Sequence, residues 1–582
     1  MRKSVRSLVA SGVVAVSCAV ALQPDGVCAT QASCVNGAWN AYPRPQLVRS
    51  CWTNLNGSWD YAIVPVGEPC PTVWQGKIRV PFPVESTLSG VSRSLRPTEV
   101  LWYRRKLPSR PTANRRAILH FGAVDFRTQV FVNGIEVTDT PHENGFLPFE
   151  FDVTDFLKVG ENELVVEVWD PTDEGSQAVG KQALRSHGCM YRPVSGIWQT
   201  VWLEEVPAAR LSAYRTQVGL SGKMMLFPQI VGPAVSVEVR VLAEGREVAH
   251  VVSDNFDLPL TLMLSQVRPW SPSDPFLYEL VFVVRGRDGS VDEARGYFGI
   301  REIVLRPDCN GRLRLSLNGR FIYLHGLLDQ GWWSDGLLTA PSEDALFFDT
   351  DFCREAGFNA IRKHVKIEPA IFYRRCDEKG ILVWQDLPSG APKMSAKVLQ
   401  SRCGVVRADL KGMIDALAFS PSVIIWAPYN EAWGQPGRTA TCETYAWLKR
   451  YDSTRLADGP SGWIDYGRVC GDLFDRHSYP GLSFKPTNGR ATVQGEYGSI
   501  SLVTLREPER EQAMSRYEKL MEETAECVSK GLSASIYTQT ANTEHDTGGL
   551  LTCDRVRKFD SARLRRANKK VFDAFCDSVE RK

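Results

Sequence analysis

Two glutamates follow short apolar segments in the second half of the chain, each where a buried strand would emerge. The apolar run at 423–426 leads into Asn430 and Glu431, and the segment ATVQG at 491–495 leads into Glu496. Carboxylates are rarely buried unless they are paired. Capping of the next helix or an ion pair with an arginine would explain one such residue. Two of them on different strands also suit catalysis by a pair of carboxyl groups.

Hydrolysis of a glycosidic bond is the reaction that such a pair suits best. One carboxylic acid protonates the leaving oxygen while a carboxylate acts from the other side of the anomeric carbon. When the carboxylate attacks directly, the two groups lie roughly 5 to 5.5 Å apart and the configuration is retained. One group must be protonated near neutral pH while the other stays ionised, so the two glutamates need different surroundings.

Polar side chains end several other predicted strands. The segments NAIRKH (359–364), VWQD (383–386), DRHSYPG (475–481) and ASIYTQ (534–539) all carry such groups. If these ends meet at one rim, they form a substrate site. The candidate substrate-binding residues from these segments are Arg362, His364, Trp384, Asp386, His477, Tyr479, Tyr537 and Gln539.

The elements that would bring these residues together begin at about residue 306. Helical patterns such as the one at 342–357 alternate there with short apolar strands. Strand and helix in repetition indicate a parallel sheet, and about 275 residues suit a (β/α)8 TIM barrel. Barrel strands are covered on both faces, so they read as continuous apolar runs, and chemistry takes place at their carboxyl ends. Residues 306–582 are therefore predicted to form a catalytic barrel.

The preceding part of the chain has the pattern of β-structure throughout. Residues 35–205 contain short alternating segments, with an Asn133-Gly134 hairpin signal. They predict a jelly-roll β-sandwich. Residues 206–305 continue with a new rhythm of short strands and predict an immunoglobulin-like β-sandwich. The fold class is thus multidomain, with two β-sandwiches before a barrel.

Composition excludes some partners. The net charge of +2 and the lack of Lys/Arg blocks give no field for nucleic acid. Among the 15 cysteines no two have the Cys-x-x-Cys spacing, so zinc is not expected. Two carboxyl groups suffice for the proposed chemistry, and no cofactor is expected.

The N-terminus has the features of a secretory signal, predicted at residues 1–29. Basic residues precede a mostly apolar stretch at 8–22, and small residues at 27–29 offer a cleavage site. An uncleaved anchor is the alternative, and no other segment is apolar enough to cross a bilayer. Export to an extracellular, periplasmic or lysosome-like compartment follows. Thirteen cysteines would remain after cleavage, an odd number, and one disulfide among Cys34, Cys51 and Cys70 is expected.

The chain resembles glycoside hydrolase family 2, the retaining β-galactosidase, β-glucuronidase and β-mannosidase group, over nearly all its predicted mature length. The order of jelly roll, immunoglobulin-like sandwich and barrel is the order of that family. The motifs that carry the resemblance are LNGSWDY (55–61), LWYRRKL (101–107), VFVNG (130–134), SGIWQTVWLE (195–204), FNAIRKH (358–364), PSVIIWAPYNE (421–431) and GEYG (495–498).

The resemblance implies a role for each of five residues. Glu431 corresponds to the acid/base and Glu496 to the nucleophile, on the fourth and seventh barrel strands. Asn430 would contact the 2-hydroxyl of the sugar, a bond that strengthens in the transition state. Arg362 corresponds to an arginine near the nucleophile, and Tyr479 to a tyrosine that hydrogen-bonds it.

Two segments depart from the best-studied members. After the first predicted barrel strand the chain reads Asp329-Gln330-Gly331 and then Trp332-Trp333, typical of a less-characterised branch. Asp329 and its neighbours would line the sugar subsite or pack as a corner.

The segment 542–555 lacks the Asn-x-Lys motif that binds a uronic acid carboxylate in β-glucuronidases. A uronic acid is therefore disfavoured, although Lys363 or Lys366 could substitute for the missing lysine. Glu544 is a further candidate ligand for a sugar hydroxyl.

These observations predict an exported, retaining exo-β-glycosidase that acts on a terminal, non-reducing, β-linked neutral hexose, a galactoside first. β-Glucuronidase, β-mannosidase and β-galactofuranosidase activities are alternatives. A carbohydrate-binding protein without turnover is the alternative of another class. Oligomerisation is left open.

Overall fold

The computed structural model describes residues 39–112, 114–390, 394–487 and 489–580. The predicted signal at residues 1–29 lies outside them. Within the described residues, no helix combines the length and the hydropathy that a membrane span requires.

Thirteen strands form the first region. They build a four-stranded sheet in the order β1-β13-β5-β10, a second sheet containing β3-β2-β4-β11-β7-β8 with β9 beside β7, and the β6-β12 pair. Their inward side chains form one core. Asn133, with a φ of 52°, and Gly134, with a φ of 77°, make the predicted turn between β7 and β8. The strands are β1 (Trp52–Asn54), β2 (Gly57–Pro65), β3 (Gly76–Val80), β4 (Glu99–Leu107), β5 (Arg115–Phe121), β6 (Val124–Asp125), β7 (Arg127–Val132), β8 (Ile135–Glu136), β9 (His142–Glu143), β10 (Phe149–Asp152), β11 (Asn162–Trp169), β12 (Gly196–Ile197) and β13 (Val201–Pro207).

A second pair of sheets follows, with three and four strands and a core of its own. Their orders are β14-β15-β18 and β17-β16-β19-β20. A three-stranded sheet, β21 to β23, comes next, and its apolar residues pack with the barrel interior. The strands are β14 (Arg210–Val218), β15 (Lys223–Val231), β16 (Ala234–Ala243), β17 (Arg246–Ser253), β18 (Leu260–Met263), β19 (Tyr278–Gly286), β20 (Val291–Phe298), β21 (Ile303–Pro307), β22 (Leu313–Leu317) and β23 (Arg320–Phe321).

The last region is the predicted barrel. Eight parallel strands lie in the order β29-β27-β26-β25-β24-β33-β32-β31, and the described residues show no ladder between β29 and β31. A short parallel pair, β28 and β30, extends the rim. The elements are β24 (Leu324–Asp329), α1 (Glu343–Glu355), β25 (Ala360–Lys363), α2 (Ala370–Lys379), β26 (Leu382–Asp386), α3 (Ala396–Leu417), β27 (Val423–Ala427), β28 (Tyr429–Asn430), α4 (Arg438–Tyr451), β29 (Leu456–Ala457), β30 (Pro460–Ser461), β31 (Leu473–Ser478), β32 (Ala491–Gly498), α5 (Glu509–Ser529), β33 (Ala534–Thr538) and α6 (Ser561–Glu580).

The apolar runs of the barrel strands are explained by burial on both faces. Every residue of β26 and β27 is buried. Val423 and Trp426 pack with the helices, whereas Ile424 and Ile425 pack in the barrel interior. Chain continuity therefore forces whatever follows Trp426 to the carboxyl-end rim.

The barrel is irregular between its fourth and seventh strands. The sequence leaves room there for two βα units, and both strands, β29 and β31, are present. No α-helix follows either of them among the residues that the structure describes. A 3-10 turn at Arg468–Cys470 stands there, and a disulfide joins Cys470 to Cys442 of α4. Cys51 is also disulfide-bonded, while Cys70 is free and exposed.

One loop of the first region crosses to the barrel. We call residues 170–195, between β11 and β12, the crossing loop. The amides of Val179 and Gly180 donate to the carbonyl of Ser389 at 2.7 and 2.8 Å. Arg402 of α3 donates to the carbonyls of residues 176 and 177 at 2.7 and 2.8 Å. The crossing loop is thus fixed on the rim where the barrel strands end.

Candidate active site

Glu431 lies directly after β28, and its backbone is unusual. Its φ is 49° and that of Ala432 is 65°, in the left-handed region that residues other than glycine rarely adopt. The amide of Glu431 donates to the carbonyl of Ser461 at 3.0 Å. Two successive residues in this conformation cost free energy, and such strain is concentrated at functional sites. It turns the Glu431 side chain toward the barrel axis.

Glu496 lies within β32 and is buried. The hydroxyl of Tyr479 donates to its Oε2 at 2.5 Å. Its Oε1 has no hydrogen-bond partner although it is buried. Nη1 of Arg362 lies 3.7 Å from this oxygen and Nδ1 of His364 lies 3.9 Å from it. One oxygen is therefore held in place while the other is left available beside positive charge.

The two glutamates face each other across one pocket. An oxygen of Glu431, an oxygen of Glu496 and a ring nitrogen of His477 all lie within 4.8 Å of one another. The strands that carry the glutamates, β27 with its extension β28 and β32, are the fourth and seventh of the barrel in chain order. The 4.8 Å limit applies to one ligand atom of each residue, whereas retaining glycosidases hold their two carboxyl groups about 5 to 5.5 Å apart.

His477 links the two carboxyl groups. Its Nδ1 lies 2.7 Å from Oε1 of Glu431 and 3.5 Å from Oε1 of Glu496. Burial lowers the pKa of His477, but the carboxylates of Glu496 and Asp475 and hydrogen bonds outweigh this and raise the pKa to about 10. Three such donors would also suit a metal ion, yet the raised pKa favours a proton on the ring.

The pKa of Glu431 departs from the expectation that one carboxyl is protonated near neutral pH. Burial raises the pKa of Glu431, but the hydrogen bond from His477 and the charges of His477 and Lys181 outweigh this, so the pKa is lowered. The pair of His477 and Glu431 still holds a proton, and that proton resides on the imidazole. General acid catalysis by Glu431 would draw on it across 2.7 Å.

Arg362 organises the interior of the pocket. Its Nε donates to the carboxylate of Asp386 at 3.0 and 3.1 Å, and its Nη2 donates to Oδ1 of Asn430 at 2.9 Å. Its guanidinium lies 5.1 Å from the centre of the fully buried Trp384 ring. The amide nitrogen Nδ2 of Asn430 is left buried without a partner. It is therefore oriented and free to donate to a ligand.

His364 offers a second free atom. Its Nδ1 lies 2.9 Å from Oδ2 of Asp386, while its Nε2 is buried without a partner. Burial, followed by the charge of Lys181, lowers the pKa of His364 well below its usual value. The ring is therefore neutral, and with its proton on Nδ1 it presents the Nε2 lone pair as an acceptor.

Asp329 is a predicted ligand that the structure places elsewhere. Its Oδ2 accepts from Nζ of Lys363 at 2.7 Å and its Oδ1 from the amide of Gly331 at 2.9 Å. Lys363 also donates to Glu368 at 2.8 Å, as does Lys366 at 2.7 Å. We call Asp329, Lys363, Lys366 and Glu368 the lysine cluster. Because both lysines have carboxylate partners, neither is free to bind a uronic acid.

Three more predicted ligands have hydrogen-bond partners other than the two glutamates. The hydroxyl of Tyr537 accepts from the amide of Ile500 at 3.2 Å. Its ring packs against Tyr497 of β32 and Tyr517 of α5. Glu544 accepts from Arg192 at 2.9 Å, which ties the rim to the crossing loop. Gln539 is buried and accepts from Gln330.

Several residues at the pocket were missed. Trp433 lies 6.4 Å from the His364 ring, and Trp463 lies 6.1 Å from the His477 ring and is 56% exposed. Trp433 follows Glu431 by two positions, a spacing that could have identified it. Lys181 comes from the crossing loop, which has no periodic pattern, so no local signal pointed to it.

Family models match two stretches of the chain. One, described as a glycosyl hydrolase 2 galactose-binding domain-like model, matches residues 92–199, and the other, glycosyl hydrolases family 2, matches residues 232–301. Similar curated proteins include a putative beta-glucuronidase of Formosa agariphila, 25% identical over 62% of this chain and 34% of the relative. A beta-galactosidase of Clostridium acetobutylicum is 26% identical over 55% of this chain and 36% of the relative.

The alignments thus span about a third of the length of these two relatives. A beta-mannosidase B of Aspergillus terreus is 26% identical over 67% of this chain and 50% of the relative. Among solved structures, a beta-glucuronidase of Ruminococcus gnavus superimposes with a TM-score of 0.75 at 20% identity, covering 90% of this chain and 99% of that one. This likeness concerns the fold. The chain thus carries two domains that match glycoside hydrolase family 2, and it resembles the β-glycosidases of that family.

Proposed function

We propose that the protein is a retaining exo-β-glycosidase that releases a terminal, non-reducing, β-linked hexose by double displacement. One observation carries the proposal: carboxyl oxygens from the fourth and seventh barrel strands lie within 4.8 Å of one another across one pocket. The second oxygen of the buried Glu496 has no hydrogen-bond partner. A second carboxyl group opposite this oxygen is what glycosidic hydrolysis requires, which favours an enzyme over a module without turnover.

In the first step, Oε1 of Glu496 attacks the anomeric carbon. A carbon–oxygen bond to the glutamate forms, the glycosidic bond breaks, and the leaving oxygen takes a proton from Glu431. Tyr479 holds Oε2 of Glu496, and Nη1 of Arg362 lies 3.7 Å from the attacking Oε1. The proton that Glu431 donates is supplied by the His477–Glu431 pair.

In the second step, water replaces the leaving group. Glu431 accepts a proton from the water as its oxygen attacks the anomeric carbon, and the ester bond to Glu496 breaks. Two inversions at the same carbon restore the original configuration. The released sugar is therefore the β-anomer.

The unpartnered polar atoms of the pocket suit sugar hydroxyls. Nδ2 of Asn430 is placed to donate to the hydroxyl adjacent to the reacting carbon, and Nε2 of His364 to accept from another. Trp433 and Trp463 border the pocket with aromatic faces. A sugar ring presents alternating hydroxyls and apolar C–H faces, which these groups complement.

The identity of the sugar is the finer part of the proposal. The sequence favours a neutral hexose, with β-galactoside first, while the named relatives include beta-glucuronidases, beta-galactosidases and a beta-mannosidase. An exported location is part of the same proposal. The Cys442–Cys470 disulfide supports it, because disulfides persist in oxidising compartments.

The experiment that tests the proposal begins with a panel of 4-nitrophenyl β-glycosides: galactoside, glucoside, glucuronide, mannoside and galactofuranoside. The corresponding 2-deoxy-2-fluoro glycosyl fluoride of the best substrate is then used to trap the intermediate. We expect mass spectrometry to find one added fluorosugar on the peptide that contains Glu496. Turnover of a substrate without such an adduct, or an adduct on another carboxylate, would overturn the double-displacement proposal.

A further inference from the structure

Four lysines of the described chain are buried: Lys181, Lys363, Lys366 and Lys558. Lys363 and Lys366 are bound by carboxylates of the lysine cluster. Nζ of Lys558 donates to Oδ1 of Asn542 at 2.6 Å and to the carbonyl of Thr547 at 2.7 Å. Lys181 is 5% exposed as a residue, its Nζ is not among the fully buried unpartnered atoms, and within the described chain the ammonium has neither an ion pair nor a hydrogen bond. It is the exception among the four.

The backbone on either side of Lys181 is fixed. Gly180 has a φ of 67°, and a Cβ on it would lie 2.9 Å from the carbonyl oxygen of Val365. Gln182 donates to Asp125 at 2.9 Å and accepts from the amide of Val194 at 2.6 Å. One neighbour is therefore held against the barrel and the other against the jelly-roll region. Lys181 is positioned by both and has little freedom to withdraw into solvent.

The ammonium of Lys181 faces the active site. Its Nζ lies 5.9 Å from the centre of the Trp433 ring, and that ring lies 6.4 Å from the ring of His364. The charge of Lys181 acts on Glu431 and on His364, although burial is the larger influence on each. Lys181 thus borders the pocket at the edge formed by His364 and Trp433.

An ammonium that is largely removed from water and has no anionic partner costs free energy, and the cost is offset when an anion binds. We propose that Lys181 binds an anionic substituent, a carboxylate or a sulfate ester, on the sugar that occupies the pocket. Lys181 would then be the residue that determines specificity for a charged glycoside. This inference rests on the proposed glycosidase function, and it departs from the neutral hexose favoured by the sequence.

The neutral sugar favoured by the sequence and the anionic sugar proposed from Lys181 differ for a physical reason. The preference for a neutral sugar followed from the missing Asn-x-Lys motif and considered only lysines of the barrel. Lys363 and Lys366 are indeed neutralised there. The free ammonium comes from another region of the chain and reaches the same rim through the crossing loop.

The test compares pairs of substrates that differ only at C6. The 4-nitrophenyl β-glucuronide and β-galacturonide test the carboxylate, the 4-nitrophenyl 6-O-sulfo-β-galactoside tests the sulfate, and the unmodified glucoside and galactoside are the neutral partners. In the wild type we expect the anionic member of one pair to have the higher kcat/KM. In Lys181→Met that kcat/KM should fall about 10- to 100-fold, the usual value of a charge-assisted hydrogen bond, with a smaller change for the neutral partner.

Two variants serve as controls. Lys181→Arg keeps the charge and should retain part of the preference. Arg185→Met removes a charge from an exposed position of the same loop and should leave the preference unchanged. Thermal unfolding shows whether each variant is folded. Titration of D-glucuronate into the folded Glu496→Gln enzyme measures binding of the anion by Lys181 without turnover.

The outcomes separate the inference from the function on which it rests. Equal losses on neutral and anionic substrates in Lys181→Met would overturn the inference, because Lys181 would then only offset the charge of the glutamates. Preference for the neutral partner in every pair would overturn it as well. In both cases turnover that depends on Glu496 would leave the glycosidase proposal intact. Absence of turnover of every substrate by the wild type would instead count against the glycosidase function itself.

Discussion

Two groups of buried charges lie side by side at the barrel rim, and they differ in balance. Arg362 and Lys363 are successive residues of β25, so their side chains point to opposite faces of the strand. Arg362 points into the pocket, where it joins His477 and four carboxylates that we call the acidic cluster: Glu431, Glu496, Asp386 and Asp475. Lys363 points outward, over the ring of Phe372 of α2.

The positive and negative charges of the lysine cluster are balanced, whereas those of the acidic cluster are not. In the lysine cluster, Lys363 and Lys366 face Asp329 and Glu368, and every ammonium has a carboxylate partner. In the acidic cluster, carboxylates outnumber cations, and Oε1 of Glu496 is buried without a hydrogen bond. Charged groups that are equally buried can therefore have different roles. A network with equal numbers of opposite charges has a structural role, whereas an excess of buried carboxylates is typical of a functional site.

The largest effect is expected from the unpartnered carboxylate. Glu496→Ala should lower kcat/KM on the best 4-nitrophenyl glycoside by at least about 10⁴-fold, because no other group can form the ester. Azide should restore part of the rate and yield a glycosyl azide of inverted configuration, identified by NMR. Turnover close to that of the wild type would remove Glu496 from the mechanism and with it the contrast between the clusters.

Glu431→Ala should separate substrates by leaving group. An alkyl β-glycoside needs the proton and should lose about 10²- to 10⁴-fold in kcat/KM, whereas an aryl glycoside with a good leaving group should lose clearly less. The matched control is Glu544→Ala, since Glu544 lies at the rim but is paired with Arg192. That variant should keep the leaving-group dependence of the wild type. Identical losses on alkyl and aryl substrates would contradict the acid role.

Removing one cation from the lysine cluster should lower the stability of the protein. Lys363→Met leaves Asp329 and Glu368 buried with one cation fewer, and removal of one partner of a buried pair costs about 3 to 5 kcal/mol in the free energy of unfolding. Denaturant unfolding measures this loss, and activity per folded molecule should change little. Lys569→Met, which removes an exposed pair with Asp573, is the control and should change stability by less than about 1 kcal/mol. A loss of activity without a loss of stability would reverse the two roles.

The smallest effect concerns pH. Because the folded-state pKa of His477 is raised to about 10, its stabilising contribution is complete below its unfolded value of about 6.5 and disappears as pH rises through about 10. Wild-type stability should therefore fall over this interval by on the order of a few kcal/mol more than that of His477→Asn. Unfolding of both proteins at pH 6.5, 8 and 10 measures the difference. Parallel curves would show that the acidic cluster does not retain a proton on His477.

The central pair of the site was predictable because of the periodicity of strands. Polar residues at or near the carboxyl ends of buried parallel strands share one rim, so Glu431 and Glu496 were expected to approach each other. The same alternation explains one failure. On β33, Ile536 packs in the barrel interior, so Tyr537, its neighbour, points outward to the helices. Attention to the face as well as to the strand end would have excluded Tyr537.

Other features depend on tertiary contacts that no local pattern carries. The partners of Asp329 lie 34 and 2 positions away, and only the packed fold shows that Lys363 neutralises it. The crossing loop has neither the period of a strand nor that of a helix. Its position is set in part by backbone hydrogen bonds to Ser389, which no pattern of side chains in the sequence reveals. The loops that follow β29 and β31 in place of helices were likewise not visible in the sequence.

The close approach of Gly180 to Val365 has a consequence for how such enzymes diversify. Because the jelly-roll region delivers Lys181 to the rim while the barrel keeps both glutamates, we expect part of the substrate choice to reside on a different module from the chemistry. Exchange of the first module between related chains would then alter which glycosides are accepted while the hydrolytic machinery stays the same. Only partners that keep a glycine at the junction would dock closely enough for the exchange to succeed.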